Sequence, residues 1–139
     1  MNDDHLDSSN FERLDAWAVE PRRVDKPWGY ELIWAQTDLY VGKKLFVKAG
    51  EALSLQFHRI KDEVIYVESG RIEFTLSAPG DAVPKTEVVG PGAAFHVTPG
   101  VVHRMRAIED SYLLEASTPH LDDVVRLEDA YGREGTDIP

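Results

Sequence analysis

From Trp28 onward the chain breaks into short runs of apolar and β-branched residues, with no stretch between them long enough for a crossover helix. The candidate strands are Tyr30–Trp34, Tyr40–Val47, Leu53–His58, Val64–Glu68, Arg71–Leu76, Thr86–Val89, Ala94–Val97, His103–Ala107 and Tyr112–Ala116. Turn residues separate them: Ala49-Gly50, Ser69-Gly70, Pro79-Gly80-Asp81, Gly90-Pro91-Gly92, Pro99-Gly100 and Glu109-Asp110-Ser111. Parallel strands need long crossovers, whereas antiparallel ones need only tight turns. The spacing therefore predicts an all-β antiparallel barrel or sandwich, not βαβ units. Further on, Val124-Val125-Arg126-Leu127 fits either an edge strand or the start of a short helix. No internal repeat or low-complexity segment is present.

A chain of 139 residues, 42% of them apolar, has room for one folded domain with an adequate core. Its net charge of −10 is unevenly placed. Residues 1–25 hold seven acids and three bases, and residues 119–139 hold six acids and two bases. The middle, 26–118, is nearly balanced at twelve acids against ten bases. We therefore expect an N-terminal arm over 1–25, a barrel over 26–118 and a C-terminal tail over 119–139 that packs on the barrel. Phe11, Leu14, Trp17 and Val19 are the apolar anchors of the arm. No basic stripe exists to hold nucleic acid, but an anionic small molecule remains possible in the central domain. Without cysteine there are no disulfides, thiolate metal sites, iron–sulfur clusters or cysteine nucleophiles. Met1-Asn2-Asp3-Asp4-His5 is no secretory signal, and no apolar run approaches the roughly 20 residues needed to span a bilayer. A soluble cytoplasmic protein is expected.

Four polar residues stand out within the strand pattern. Gln56 and His58 are two apart, so on a strand they project from one face. Glu63 leads into the next strand, and His103 follows the turn Thr98-Pro99-Gly100. The inward face of a small barrel is normally apolar, and burying an amide, two imidazoles and a carboxylate there is costly unless they are paired or ligated. One divalent metal ion removes that cost. Zn, Fe, Mn, Co and Ni all suit such mixed nitrogen and oxygen ligands. His96 is expected at the surface or in a hydrogen bond, His5 and His120 in solvent, and Trp28 and Trp34 in the core or at its rim. Lys43 and Lys44 face opposite sides of their strand, so at most one lines the pocket. A cation there, Lys43, Lys44 or Arg126, can bind a phosphate or orient a sugar hydroxyl.

The two glycine-framed blocks carrying these residues resemble the signature of the cupin superfamily. The first runs from Gly50 through Gln56-Phe57-His58 and Glu63 to Gly70. The second runs from Gly92 through Thr98-Pro99-Gly100 to His103. Gln56 stands where the general pattern has a first His, and Thr98 where it has a Pro. The run Leu53-Ser54-Leu55-Gln56-Phe57-His58 is similar to the cupin domain of type II phosphomannose isomerases. So are Lys26-Pro27-Trp28-Gly29 at the start and Asp122-Asp123-Val124-Val125-Arg126-Leu127-Glu128-Asp129-Ala130-Tyr131-Gly132-Arg133 at the end. The resemblance implies a cupin fold, that is, a double-stranded β-helix or jelly-roll-like antiparallel barrel with short terminal arms. It implies Gln56, His58, Glu63 and His103 as metal ligands and Lys61, in the place of the family's Arg, as candidate base. It further implies an aldose–ketose isomerase acting on a sugar phosphate such as mannose 6-phosphate. The alternatives are a metal-dependent cupin dioxygenase and a non-catalytic sugar-binding or sensor module. A homodimer is expected, because exposed sheet edges need covering.

Overall fold

A computed structural model describes residues 13–81 and 83–136. The arm residues His5 and Phe11 lie outside the described residues. Among the described residues twelve strands follow in chain order: β1 (Arg22–Lys26), β2 (Gly29–Gln36), β3 (Val41–Val47), β4 (Leu55–Phe57), β5 (Glu63–Ser69), β6 (Ile72–Ser77), β7 (Lys85–Val89), β8 (Ala94–Val97), β9 (Val102–Ala107), β10 (Ser111–Ser117), β11 (Val125–Glu128) and β12 (Gly135–Thr136). They form two antiparallel six-stranded sheets, ordered β1-β2-β3-β10-β5-β8 and β12-β11-β4-β9-β6-β7. All nine expected strands are present, and Val125–Leu127 of the ambiguous Val124–Leu127 run lies in strand β11, which pairs with β12 and β4 and so is not an edge strand. A short 3-10 turn, Leu14–Trp17, precedes β1. Leu14 and Val19 stand exposed at 84% and 73%. Among the described residues no helix is long and apolar enough to cross a membrane.

The strands alternate as a half-buried pleat requires. In β5, Glu63, Ile65 and Val67 are buried while Val64, Tyr66 and Glu68 are exposed. In β9, His103, Met105 and Ala107 turn inward, and in β10 Leu113 and Glu115 do the same. The apolar ends of these strands meet in one core of Trp28, Leu45, Val47, Ile65, Val67, Ile72, Phe74, Val97, Met105, Ala107 and Leu113. The other ends place Lys43, Glu63, His103 and Glu115 inside. The barrel interior is therefore apolar at one end and ionic at the other.

Gly70 closes the β5–β6 hairpin at φ +93, and a Cβ there would lie 2.1 Å from Ser111 Oγ and 2.6 Å from the Asp110 carbonyl oxygen. Only glycine fits that approach. Gly50 also has a positive φ, +84, but its surroundings are open.

Candidate metal centre

The two sequence blocks meet through backbone hydrogen bonds. The Gly100 N–H donates to the His58 carbonyl at 2.8 Å, which docks the turn of the second block on the end of β4. Across β4 and β9, Gln56 is the direct partner of His103. Glu63 arrives from the opposite sheet, because the period of β5 turns it inward with Ile65 and Val67. One ligand atom from each of His58, Glu63 and His103 lies within 4.8 Å of the others, and all three residues are buried.

The outer nitrogens of both imidazoles are committed. His58 Nδ1 lies 2.6 Å from the Asp123 carbonyl and His103 Nδ1 lies 3.0 Å from the Val101 carbonyl. Donation to these oxygens leaves each Nε2 with a lone pair aimed inward, as a metal-binding histidine requires. His58 Nε2 is 3.2 Å from Glu63 Oε2, and His103 Nε2 is 3.6 Å from Glu63 Oε1. His58 Nε2, His103 Nε2 and Glu63 Oε2 are buried and make no aligned hydrogen bond. Lys61 Nζ does approach Glu63 Oε2 at 2.9 Å, as an ion pair without hydrogen-bond alignment. Three convergent, unsatisfied and buried donor atoms fit a divalent ion. Gln56 lines the same cleft, and its Oε1 accepts a 2.6 Å hydrogen bond from Ser54, which orients the amide and leaves a second lone pair.

Electrostatics keep the cluster ready for a cation. Burial opposes ionisation of Glu63, but the adjacent His58 ring and the charge of Lys61 outweigh it, so the carboxyl stays well below the usual carboxylate range. Burial pushes His103 below its ordinary value, favouring the neutral ligand form. For Lys61 burial acts against the charge, yet Glu115 and Glu63 raise its pKa above that of a free lysine. Its Nζ is 3.0 Å from Glu115 Oε2 as well as 2.9 Å from Glu63 Oε2. A lysine locked as ammonium between two carboxylates is an electrostatic group, the reverse of the free base expected from sequence.

The other anticipated cations separate cleanly. Lys43 is buried, hydrogen-bonded to Glu31 at 3.1 Å and 3.8 Å from Glu115. Lys44 points to the outer face, beside Glu68 at 3.5 Å and over the Tyr112 ring, and does not line the cleft. Its place among the candidate substrate contacts is therefore corrected by strand alternation. Arg126 lines the cleft beside Gln56, its partner in the β11–β4 pair. His96 is an exposed residue 2.6 Å from Asp62. His120, expected in solvent, is half-buried against the Thr118 hydroxyl. Trp28 is core and Trp34 is 54% exposed.

Glu31, Glu115, Ser54, Lys26 and Asp123 are site residues that the sequence reading did not single out. Glu115 was within reach, since an inward Leu113 turns Glu115 inward as well. Asp123 had no such signal. Its carboxylate accepts the backbone N–H groups of Arg59, Ile60 and Lys61 at 3.1, 2.6 and 2.8 Å, while its own carbonyl holds His58.

A two-sheet antiparallel barrel with a histidine–carboxylate cluster in its polar end defines the cupin class. Residues 43–115 match the Cupin domain family, and the chain belongs to that family. It is 31% identical over 121 residues to mannose-1-phosphate guanylyltransferase 2 of Escherichia coli O157:H7, covering 84% of this chain and 24% of that protein. It is 35% identical over 118 residues to the xanthan biosynthesis protein XanB of Xanthomonas campestris pv. campestris (strain B100), covering 81% and 24%. The chain thus spans about a quarter of the length of the curated relatives it matches. Among solved structures, the capsular polysaccharide assembling protein CapF from Staphylococcus aureus superposes with a TM-score of 0.72 at 15% identity, over 91% of this chain and 41% of that one. That likeness concerns the fold alone.

Proposed function

We propose that this cupin is a metal-dependent aldose–ketose isomerase of a sugar phosphate, of the mannose 6-phosphate type. The observation carrying the reading is the convergence of His58 Nε2, Glu63 Oε2 and His103 Nε2, buried and unsatisfied, beside a cleft with more cations than carboxylates. Similarity to proteins named for mannose 1-phosphate and xanthan chemistry supports the sugar. Gln56, His58, Glu63 and His103 would hold the ion, and an ion there supplies Lewis acidity at the sugar carbonyl. The protein's own groups do the rest. Lys61 Nζ presents a fixed positive charge to the oxygen that gains negative charge as the proton moves between C1 and C2. Leu53, Leu121 and Val124 line the same cleft and limit water around the reacting carbons. The cleft encloses about 60 Å³, room for an ion and its water rather than for a whole sugar, so the sugar phosphate extends through the open mouth.

Metal-reconstituted protein is expected to interconvert mannose 6-phosphate and fructose 6-phosphate, and His103→Ala is expected to lose both metal and turnover. Loaded protein that binds the sugar phosphate without converting it would favour the binding-module reading. Oxygen consumption with iron would favour the dioxygenase. The proposal includes a homodimer, supported by Trp34 on β2 and Tyr40 in the β2–β3 connection, each more than half exposed. A monomer in sedimentation at working concentration rules that part out.

A further inference from the structure

Five charged groups of the cleft form a row across the first sheet. Glu31 on β2 pairs with Lys43 on β3 at 3.1 Å, and Lys43 lies opposite Glu115 on β10, 3.8 Å away. Glu115 Oε2 is 3.0 Å from Lys61 Nζ and also accepts from the Ser117 hydroxyl at 3.0 Å. Lys61 in turn is 2.9 Å from Glu63, the anionic member of the ligand cluster. Acid and base alternate along the row, and Lys43, Glu115, Lys61 and Glu63 are all buried. Three carboxylates against two ammonium groups leave a single negative charge before any ion is bound. The other charged residues of the lining, Lys26, Arg126 and Arg133, are all basic. Asp129 answers Arg133, whereas Lys26 pairs with no carboxylate among the described residues. The cleft therefore offers an ion few negative charges, and the ligand that carries one is already shared with a lysine.

We propose that Lys61, backed by Glu115, makes this centre selective for divalent over trivalent ions, so that iron held there stays ferrous. The inference rests on the metal-centre reading above but not on the sugar or its phosphate. Neutral imidazoles and an amide bring no charge, so among the candidate ligands Glu63 alone neutralises the ion. A divalent ion turns the single negative charge of the row into one positive charge, and a trivalent ion turns it into two. The extra charge is repelled by an ammonium that burial leaves poorly screened. Glu115 moderates the effect, because it offsets part of the field of Lys61 while holding its side chain in place. Activation of oxygen draws an electron from the ion, so such selectivity favours Lewis-acid chemistry over oxygenase chemistry.

The test measures a ratio of affinities, for zinc and for gallium, the latter a trivalent ion with the charge of ferric iron and no redox chemistry. Both are offered as nitrilotriacetate complexes in competitive dialysis against wild type, Lys61→Met, Lys61→Arg, Glu115→Gln and Lys44→Met. Wild type is expected to hold zinc and to take gallium far more weakly. Lys61→Met is expected to raise the gallium-to-zinc ratio about tenfold or more, because a trivalent ion feels the removed charge half again as strongly as a divalent one. Glu115→Gln is expected to lower the ratio, while Lys61→Arg and Lys44→Met keep it. A merely loosened site weakens both ions and leaves the ratio where it was. Should Lys61→Met fail to fold, Glu115→Gln still carries the test with the opposite sign. An unchanged ratio in Lys61→Met, a raised one in Glu115→Gln, or wild type that holds both ions equally overturns the proposal. Wild type that binds neither ion overturns it together with the metal centre. The selectivity and the isomerisation fail separately. Zinc-dependent isomerisation with a ratio indifferent to Lys61 removes the selectivity and spares the reaction, and a Lys61-dependent ratio without turnover does the reverse.

Discussion

Lys61 shows how a single residue is defined by what faces it. An ammonium with 6% of its side chain accessible survives burial only because Glu63 and Glu115 are both about 3 Å away. Replacing it with an apolar side chain of similar length leaves two carboxylates facing one another in a dry barrel end. Lys61→Met is therefore expected to cost about 3–5 kcal/mol in urea-induced unfolding, the range for breaking one side of a buried ion pair. Little change in the midpoint would mean that water reaches the pair. From sequence, Lys61 offered only its place two residues before Glu63. Its second carboxylate, Glu115, comes from a strand 54 positions later in the chain, a separation that no local pattern announces.

At the scale of elements, the C-terminal segment works as a clamp on the first block. Asp123 gathers three amides of the 59–61 turn and presents its carbonyl to His58. Farther along, the Tyr131 hydroxyl bonds Glu51 and accepts from the Ala52 N–H. Asp123→Ala keeps the carbonyl that holds His58 but releases the 59–61 turn, and is expected to weaken metal binding by about tenfold through a less fixed His58. Direct titration of the metal checks this, with Asp123→Asn recovering part of the affinity. Burial is the largest single influence on the Asp123 carboxyl and raises it, but the amides of Lys61, Ile60 and Arg59 together pull it below the ordinary 3.8. Arg133 lowers Asp129 in the same direction. Because their folded values lie below the unfolded ones, their stabilisation is complete above about pH 5 and is lost as pH falls through the folded values. Chemical denaturation at pH 7 and pH 3 should show this loss, and Asp129→Asn should flatten it. Gly70 is the corresponding covalent constraint. Gly70→Ala, strained in φ and pressed on Ser111, is expected to lower stability by about 1–3 kcal/mol, and an unchanged melting temperature would show that β10 can move aside.

Over the whole molecule, the division into an apolar end and an ionic end makes metal binding part of stability. An ion bound to the folded state alone, at a hundredfold excess over Kd, adds about 2.7 kcal/mol. For a chain of this size that corresponds to about 5–11 °C in melting temperature. Calorimetric scans with and without a chelator are expected to differ by this amount. Coincident transitions would count against a metal centre in the ionic end.

The sequence by itself determined the strands. Turn residues and period-two alternation are local, so nine strands, the inward facing of Glu63 and His103, and the opposite facing of Lys43 and Lys44 could be read without coordinates. The family blocks also pointed to the ligand cluster. Tertiary structure alone decided the pairing of charges and hence the roles. It put Lys44 outside, tied Lys43 and Lys61 to Glu31 and Glu115, brought Asp123 under His58, and left Lys26 in the cleft without a carboxylate. The physical reason is range. Strand formation depends on neighbours within a few positions, whereas a buried charge takes its meaning from partners that only the closure of two sheets brings within about 4 Å.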